Sequence, residues 1–337
     1  MLRTPSQTRP ASLEELLDSK LLARLDALDI SSTKIFRGKL KGERRSKKRG
    51  ESVEFADHRS YVTGDDLRHI DWNIYGRLDM LFMKLFQEEE DLSLHMVLDC
   101  SASADTGEPN KFLFMQKLAM ALGYIGMVKY NRVACSAIGG SSSGSLSPTG
   151  EGAGGRGATP SEGTGSSTQL VQAVRDLRGK RRVHDLSRFI CSLRPDEGEG
   201  GESSSFGEAC RRIALSRRGK GIMVVMSDML IKEGYEEGLR MLVGRGYDVF
   251  VIQVLSPQEL DPGITGDLRL KDIEDGDKAD ITISAPLLKK YKKTLAAYTN
   301  QLRDFCARRE IMLLTVPSDT GVDTMVLDHL RRRGVVR

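Results

Sequence analysis

From residue 92 onward the chain alternates short apolar segments with amphipathic ones, and this alternation constrains the fold more than any other feature. Between the apolar segments, apolar residues recur at helical spacing. In a parallel sheet covered by helices, the strands are buried on both faces and alternate with the helices along the chain. The pattern therefore predicts an α/β domain over 92–337, with a doubly wound, mostly parallel, Rossmann-type sheet. Its expected strands lie at 94–99, 132–138, 221–228, 248–255 and 311–316.

The residues before this pattern are organised differently. Leucines recur at helical spacing within 12–30, behind Ser12, a residue type that favours helix N-caps, so one amphipathic helix is expected in an N-terminal segment of residues 1–33. Residues 34–91 begin with a basic run and continue into sequence rich in aromatic and charged residues. Such sequence favours a small N-terminal subdomain of short strands and packed loops, held by buried ion pairs among its Asp, Arg and His residues, with a binding role for these residues as the alternative.

Two segments interrupt the alternation of the α/β domain. Residues 139–168 contain ten Gly and eight Ser among thirty residues. This composition cannot bury enough apolar surface to offset its ordering entropy, so a disordered insertion is expected. Residues 266–284 contain polar-alternating segments on either side of the turn sequence EDGDK, which predicts an antiparallel hairpin at one edge of the sheet.

Composition favours a cytoplasmic protein without a signal peptide or membrane span. The five cysteines are far apart and contain no CxxC pair, as is typical of free thiols in a reducing compartment. The first ten residues lack the apolar core of a secretion signal, and the most apolar helical segment, 112–128, is interrupted by Gln116 and Lys117.

Polar side chains follow two of the predicted strands at the point where each ends. Asp99 ends the first strand and is followed by Ser101 and Ser103, and Asp228 ends the strand at 221–228. Ligands bind outside the carboxyl ends of the strands in doubly wound sheets. Hard divalent cations prefer oxygen ligands, so these four residues predict a magnesium site, with Mn²⁺ or Ca²⁺ as alternatives. A simple helix-capping turn would use the same residue types.

A nucleophile is not expected in this loop. Cys100 has no histidine nearby in sequence, and a cysteine between strand and loop is commonly a small buried apolar residue. An aspartyl nucleophile at Asp99 would need a second carboxylate two residues later, where Ser101 stands.

The basic run at 34–49 raises an alternative function. It contains nine Lys or Arg residues and one Glu, a density that would neutralise several phosphates. However, only Phe36 could stack on a base, and there is no recognisable reader motif, so we do not expect nucleic acid to be the partner. The run could equally pair with the acidic residues at 88–91.

The segment from Gly42 to Ser103, which contains GDDLR, IDW and the DCSAS loop in this order, resembles the conserved block of the bacterial domain of unknown function 58 family. The DCSAS loop itself is similar to the metal-ion-dependent adhesion site (MIDAS) of von Willebrand factor A domains. The resemblance covers roughly residues 20 to 260.

The resemblance implies a cation coordinated by Ser101, Ser103 and a hydroxyl from a second loop, with Asp99 and Asp228 acting mainly through water. In the family this third hydroxyl is usually a threonine in a Gly-Gly-Thr turn. Here Ser204 stands closest to that place in GGESSSFGEACRRIA, and Thr168 is the alternative.

The function implied is that of a non-enzymatic interaction module. The cation would keep one position for a carboxylate of a protein partner, and family members are commonly encoded beside MoxR-type AAA ATPases. The expected partner is therefore such an ATPase or its client, with the protein acting as adaptor or assembly factor. A metal-dependent hydrolase using the same loop is the alternative from another class.

Overall fold

The computed structural model describes seven segments of the chain, which form two compact units. The described residues are 9–30, 54–87, 93–142, 171–196, 205–216, 221–273 and 278–337. One unit comprises Gly38–Asp91, and the other combines Met1–Arg37 with Leu92–Arg337. Helices and strands are numbered below in chain order.

The N-terminal segment contains two short helices instead of the single helix predicted over 12–30. Helix α1 (Leu13–Leu16) is followed by an extended residue, Leu17, and then by α2 (Ser19–Leu25). The break lets the neighbouring side chains of Leu16 and Leu17 both enter the core. Burial of the leucines therefore outweighs the local preference for a continuous helix.

The small unit is built on a hairpin with a short helix in its connection. Strands β1 (Glu54–Ser60) and β2 (Phe82–Gln87) pair in antiparallel fashion, and α3 (Trp72–Leu78) lies between them in sequence. Asp71 caps α3 through the backbone amides of Asn73 and Ile74, and its carboxylate also bonds His58 and Lys84. These contacts, with the His58 bond as the largest cause, lower the pKa of Asp71 to about 2.

A second ion pair stabilises the loop that follows β1. The guanidinium of Arg59 donates two hydrogen bonds to the Asp65 carboxylate, at 2.7 and 2.8 Å. Ion pairs are therefore present in this subdomain, although their side chains are partly exposed and not buried as predicted.

The large unit contains a central sheet of six strands within the described residues. Its order is β12-β9-β8-β3-β4-β6, in which neighbouring strands are parallel except β4 and β6. Within the described segments, the remaining strands are β3 (Ser93–Asp99), β4 (Arg132–Ile138), β5 (Ser141–Ser142), β6 (Val171–Leu177), β7 (Leu193–Arg194), β8 (Ile222–Ser227), β9 (Asp248–Leu255), β10 (Gly266–Lys271), β11 (Lys278–Ile283) and β12 (Met312–Pro317). The predicted α/β class and mostly parallel sheet are confirmed, whereas the sequence patterns did not predict β6.

Helices cover both faces of this sheet and create two apolar cores. Leu94, Met96 and Leu98 of β3 join the first core, and Val97 joins the second, because successive strand residues point to opposite faces. The first core includes residues of α4 (Lys111–Val128) and α5 (Val183–Ser192), and the second includes residues of α6 (Phe206–Ser216), α7 (Glu236–Gly244) and α9 (Ala285–Ala307). The shorter helices are α8 (Pro257–Leu260) and α10 (Val322–Thr324), which continues as a π-helical turn over Met325–Leu330.

The two predicted interruptions differ in outcome. Strands β10 and β11 form the expected antiparallel hairpin, but they make a separate two-stranded sheet within the described residues and are not an edge of the central sheet. Of the predicted Gly/Ser-rich insertion, 143–168 lie outside the described residues. Of its first four residues, Ser141 and Ser142 form β5 and pair with β7, and a Cβ at Gly140 would overlap the carbonyl oxygen of Arg194.

Helix α4 is long and apolar enough, by length and composition alone, to cross a membrane. Its side chains are mostly buried between the sheet and neighbouring helices, and 78% of the helix is enclosed by the protein. Packing in the first core therefore accounts for its apolar character.

The close approach of β8 to β3 gives a test of this architecture. A Cβ at Gly221, just before β8, would overlap the carbonyl oxygen of Ser93 at the start of β3. We expect Gly221→Ala to lower the free energy of unfolding in urea by about 1–3 kcal/mol, because a backbone atom cannot move aside as a side chain can. Gly244→Ala is the matched control, since its Cβ would meet nothing within 4 Å. Equal stability of the two variants would contradict the described β3–β8 contact.

Candidate metal centre

The candidate site lies where strand order reverses in the central sheet. The chain passes from β3 to β4 on one side, and the later strands β8, β9 and β12 lie on the other side of β3. Leu98 of β3 pairs with Met226 of β8, so the two strands end side by side. Asp99 and Asp228 therefore leave neighbouring carboxyl ends at the point where doubly wound sheets bind ligands.

The loop after β3 is a compact turn organised by Asp99. Its Oδ1 accepts a hydrogen bond from the backbone amide of Ser101, at 2.9 Å. The hydroxyls of Ser101 and Ser103 lie 3.0 Å apart, and both side chains are partly exposed. Thr106 donates to the Ser103 carbonyl at 2.7 Å, which holds the short 3-10 helix Ala102–Asp105 in place.

The end of β8 is joined directly to this loop by Ser227. Its hydroxyl donates to Oδ2 of Asp99 at 2.6 Å and accepts from the amide of Met229 at 2.8 Å. Met229 is buried and has a φ of 57°, a left-handed conformation that costs roughly 1–2 kcal/mol for a residue with a Cβ. This sharp turn directs the chain away from the strand immediately after Asp228.

Asp228 is held from three directions. Oδ1 accepts from the amide of Leu230 at 3.1 Å, and its carbonyl accepts from the buried Gln253 amide of β9 at 3.1 Å. Oδ2 accepts from the ammonium of Lys111 at 3.0 Å. The carboxylate is only 3% exposed, so its position is set by the protein and not by water.

Lys111 also takes part in the site, although the sequence analysis did not single it out. It is the first residue of α4 and is fully buried, and its ammonium also donates to Oε1 of Glu259 at 2.6 Å. Glu259 in turn caps α8 by accepting from the amide of Ser256 at 2.7 Å. Lys111, Glu259, Ser227 and Gln253 were not predicted, because each reaches the site from a segment whose proximity depends on the tertiary fold.

The site carries uncompensated negative charge. Burial and the nearby charge of Asp228 raise the pKa of Asp99 to about 6, although the hydrogen bonds from Ser227 and Ser101 act in the opposite direction. Asp99 and Asp228 are thus close enough to repel each other, and Lys111 contacts only the second of them. A cation placed between the carboxylates would relieve this repulsion.

The same burial argues against a nucleophilic cysteine. The thiol of Cys100 is buried, and burial together with the charge of Asp99 raises its pKa well above the ordinary value. Its thiolate is therefore scarce at neutral pH, as the sequence interpretation expects.

The donor atoms of the loop fit a small, hard cation. The Ser101 and Ser103 hydroxyls are hydrogen-bonded to each other at 3.0 Å, and neighbouring ligands of an octahedral Mg²⁺ at 2.0–2.1 Å would be about the same distance apart. Within the described segments there is no cluster of three or more His, Cys, Asp or Glu residues of metal-binding spacing. A cation here would therefore depend on hydroxyl ligands, with carboxylates supplying charge.

The predicted site residues are thus brought together only in part. Asp99, Ser101 and Ser103 share one loop, and Asp228 lies at the neighbouring strand end. The predicted third hydroxyl, Ser204 or its alternative Thr168, lies outside the described residues. Asp196 was not predicted; its backbone amide donates to the Cys100 carbonyl at 2.9 Å, and its charge is near enough to contribute to the raised pKa of Cys100.

Sequence comparisons place the chain among proteins of unknown function. A family model described as "Protein of unknown function DUF58" matches residues 57–158 and 163–301. Uncharacterized proteins of Mycobacterium bovis and Mycobacterium tuberculosis are each 25% identical over 338 residues, covering 99% of this chain and 98% of their own length.

Comparison with solved structures finds more distant similarity. The conserved hypothetical protein BatB from Bacteroides thetaiotaomicron has a TM-score of 0.40 and 12% identity, over 72% of this chain and 98% of its own. An aerotolerance-related membrane protein from Bacteroides fragilis has a TM-score of 0.40 and 14% identity, over 72% of this chain and 99% of its own.

The raised pKa of Asp99 predicts a specific pH dependence. Because the folded protein binds this proton more tightly than the unfolded chain does, the contribution of Asp99 to stability falls as pH rises from about 4 to about 6. In chelator, we expect the free energy of unfolding of the wild type to fall across this range by roughly 2–3 kcal/mol relative to Asp99→Asn. Urea unfolding at several pH values measures the difference.

Asp105→Asn is the control for this experiment, because Asp105 lies in the same loop and is bonded to Asn110 and Arg9. Its profile should parallel that of the wild type between pH 4 and 6. Parallel profiles for the wild type and Asp99→Asn would refute the raised pKa.

Proposed function

The chain belongs to the family described as protein of unknown function DUF58, and we propose that its α/β unit is a von Willebrand factor A-like interaction module with a metal-ion-dependent adhesion site. The proposed cation is Mg²⁺, with Mn²⁺ or Ca²⁺ as alternatives. Ser101, Ser103 and a third hydroxyl, Ser204 or Thr168, would coordinate it, and Asp99 and Asp228 would act through water.

One observation carries this proposal. Two hydrogen-bonded serine hydroxyls lie at the spacing of neighbouring magnesium ligands, beside two buried carboxylates, and burial together with the charge of Asp228 raises the pKa of Asp99 to about 6. A helix-capping turn explains the hydrogen bond from the Ser101 amide to Asp99, but it does not require a second buried carboxylate at the adjacent strand end. The cation supplies a reason for both features.

The proposed mode of action is capture of a partner's carboxylate. Neutral hydroxyl ligands leave the charge of the ion largely uncompensated, so an additional anionic oxygen ligand is favourable. The Ser101 and Ser103 side chains are partly exposed, which leaves a partner access to this side of the loop. The family resemblance points to a MoxR-type AAA ATPase or its client as the partner.

We propose a non-enzymatic role in the cytoplasm. Around the loop, the described groups that contact Asp99 and Asp228 are serine hydroxyls, amides and a buried ammonium, and the Cys100 thiol is protonated at neutral pH. All five cysteines are unpaired and buried, which suits a reducing compartment.

Magnesium binding tests the metal site. We expect Mg²⁺ at about 100 times its dissociation constant to raise the free energy of unfolding by about 2.7 kcal/mol. Asp99→Ala should weaken binding about 10–100-fold, because it removes the carboxylate that orients the hydroxyl loop. Isothermal titration calorimetry of MgCl₂ into the chelator-treated protein measures both. Asp105→Asn, with the same loss of charge in the same loop, should bind as the wild type does, and equal affinity of Asp99→Ala and wild type would refute the site.

Partner capture tests the role of the ion. Immobilised protein should retain the MoxR-type ATPase of the same organism in Mg²⁺ and release it in chelator. Ser101→Ala should lose retention because it removes a proposed ligand, whereas Asp105→Asn should keep it. Retention that is equal in Mg²⁺ and chelator would mean that the two proteins associate without the adhesion site.

A further inference from the structure

The proposed metal site already contains a buried cation. Lys111 is 0% exposed, and its ammonium lies 3.0 Å from Oδ2 of Asp228 and 2.6 Å from Oε1 of Glu259. Both carboxylates are also buried, at 3% and 6% exposure. The three groups thus form an ion triad with one positive and two negative charges.

Local electrostatics oppose a lysine at this position. Lys111 is the first residue of an 18-residue helix, where the helix dipole disfavours positive charge. Desolvation also lowers its pKa, but the charges of Asp228 and Glu259 outweigh this effect and raise the pKa overall. The lysine is therefore charged at neutral pH only because the fold encloses it between these two carboxylates.

The second carboxylate gives the lysine an alternative partner. Glu259 is fixed by the amide of Ser256 through Oε2, so Oε1 stays directed at Lys111 whatever Asp228 does. If Asp228 turns toward a bound ion, the ammonium keeps one buried ion pair. A buried lysine with a single carboxylate would lose its only partner in the same event, at high cost.

We propose that Lys111 is a resident cation of the site, which positions Asp228 in the absence of metal and competes with the divalent ion for its charge. This inference rests on the proposed metal site and concerns its affinity. The protein alone would bind the divalent ion weakly, and a partner's carboxylate would restore the negative charge that Lys111 neutralises. Metal and partner would then bind cooperatively.

Two substitutions with opposite expected signs test this role. Lys111→Met keeps most of the length of the side chain and removes the charge, so we expect Mg²⁺ to bind at least about tenfold more tightly. Glu259→Gln leaves Asp228 as the only carboxylate facing Lys111, so binding should weaken by about tenfold. Calorimetric titration of MgCl₂ into each full-length variant without partner gives the affinities. Lys117→Met, the same substitution on the same helix, should leave the affinity unchanged.

A merely structural role would give a different pattern, because damage to the site would weaken binding in both variants. Circular dichroism establishes that each variant is folded. If Lys111→Met does not fold, the double variant Lys111→Met/Glu259→Gln removes one buried charge of each sign. Because it also lacks the ammonium that competes for Asp228, it should bind Mg²⁺ more tightly than the wild type.

The outcomes separate this inference from the proposed function. If the wild type binds Mg²⁺ and the variants lacking Lys111 bind it equally or less tightly, the resident-cation role is wrong and the metal site stands. If the wild type binds none and the variants lacking Lys111 do bind, the lysine replaces the metal and the proposed adhesion function fails. If none of them binds, both proposals fail.

Discussion

The parallel pairing of β3 with β8 is the constraint on which the rest of the large unit depends. It places two largely buried strands at the centre of the sheet, and their alternating side chains contribute to both apolar cores. It also ends both strands at the same edge, so that Asp99 and Asp228 leave the sheet side by side. The hydrogen bond from Ser227 to Asp99 joins the two ends directly. Both apolar cores and the candidate site therefore depend on the pairing of β3 with β8.

The charges at this edge are only partly balanced. A buried carboxylate is stable when a cation or several hydrogen-bond donors face it. Asp228 has Lys111 and the Leu230 amide, whereas Asp99 has only neutral donors and an elevated pKa. The imbalance lies beside two partly exposed hydroxyls at the spacing of magnesium ligands. Either the resident lysine or a bound divalent ion can neutralise this buried negative charge. Competition between the two would set the affinity of the site for the divalent ion.

The sequence predictions were accurate where local interactions determine the structure and inaccurate where contacts between distant segments determine it. Long apolar strands were located to within one or two residues, because burial on both faces leaves a strong periodic signal. The antiparallel strand β6 was missed, since an edge strand has weaker patterning and follows a Gly/Ser-rich stretch. The helix predicted over 12–30 is broken at Leu17, where two neighbouring leucines enter the core. At each of these failures, tertiary packing outweighed a local preference.

The sequence by itself determined the α/β class, the strand ends that carry Asp99 and Asp228, and the Ser101–Ser103 loop. These features are local, because strand periodicity and the residues that follow a strand can be recognised from a few neighbouring residues of the sequence. Only the tertiary structure decided that Lys111 is buried between Asp228 and Glu259. The three residues are separated by 117 and 148 positions along the chain. From sequence alone, a lysine at the start of a helix is expected to be solvated. Only the fold supplies the two carboxylates that make its burial possible.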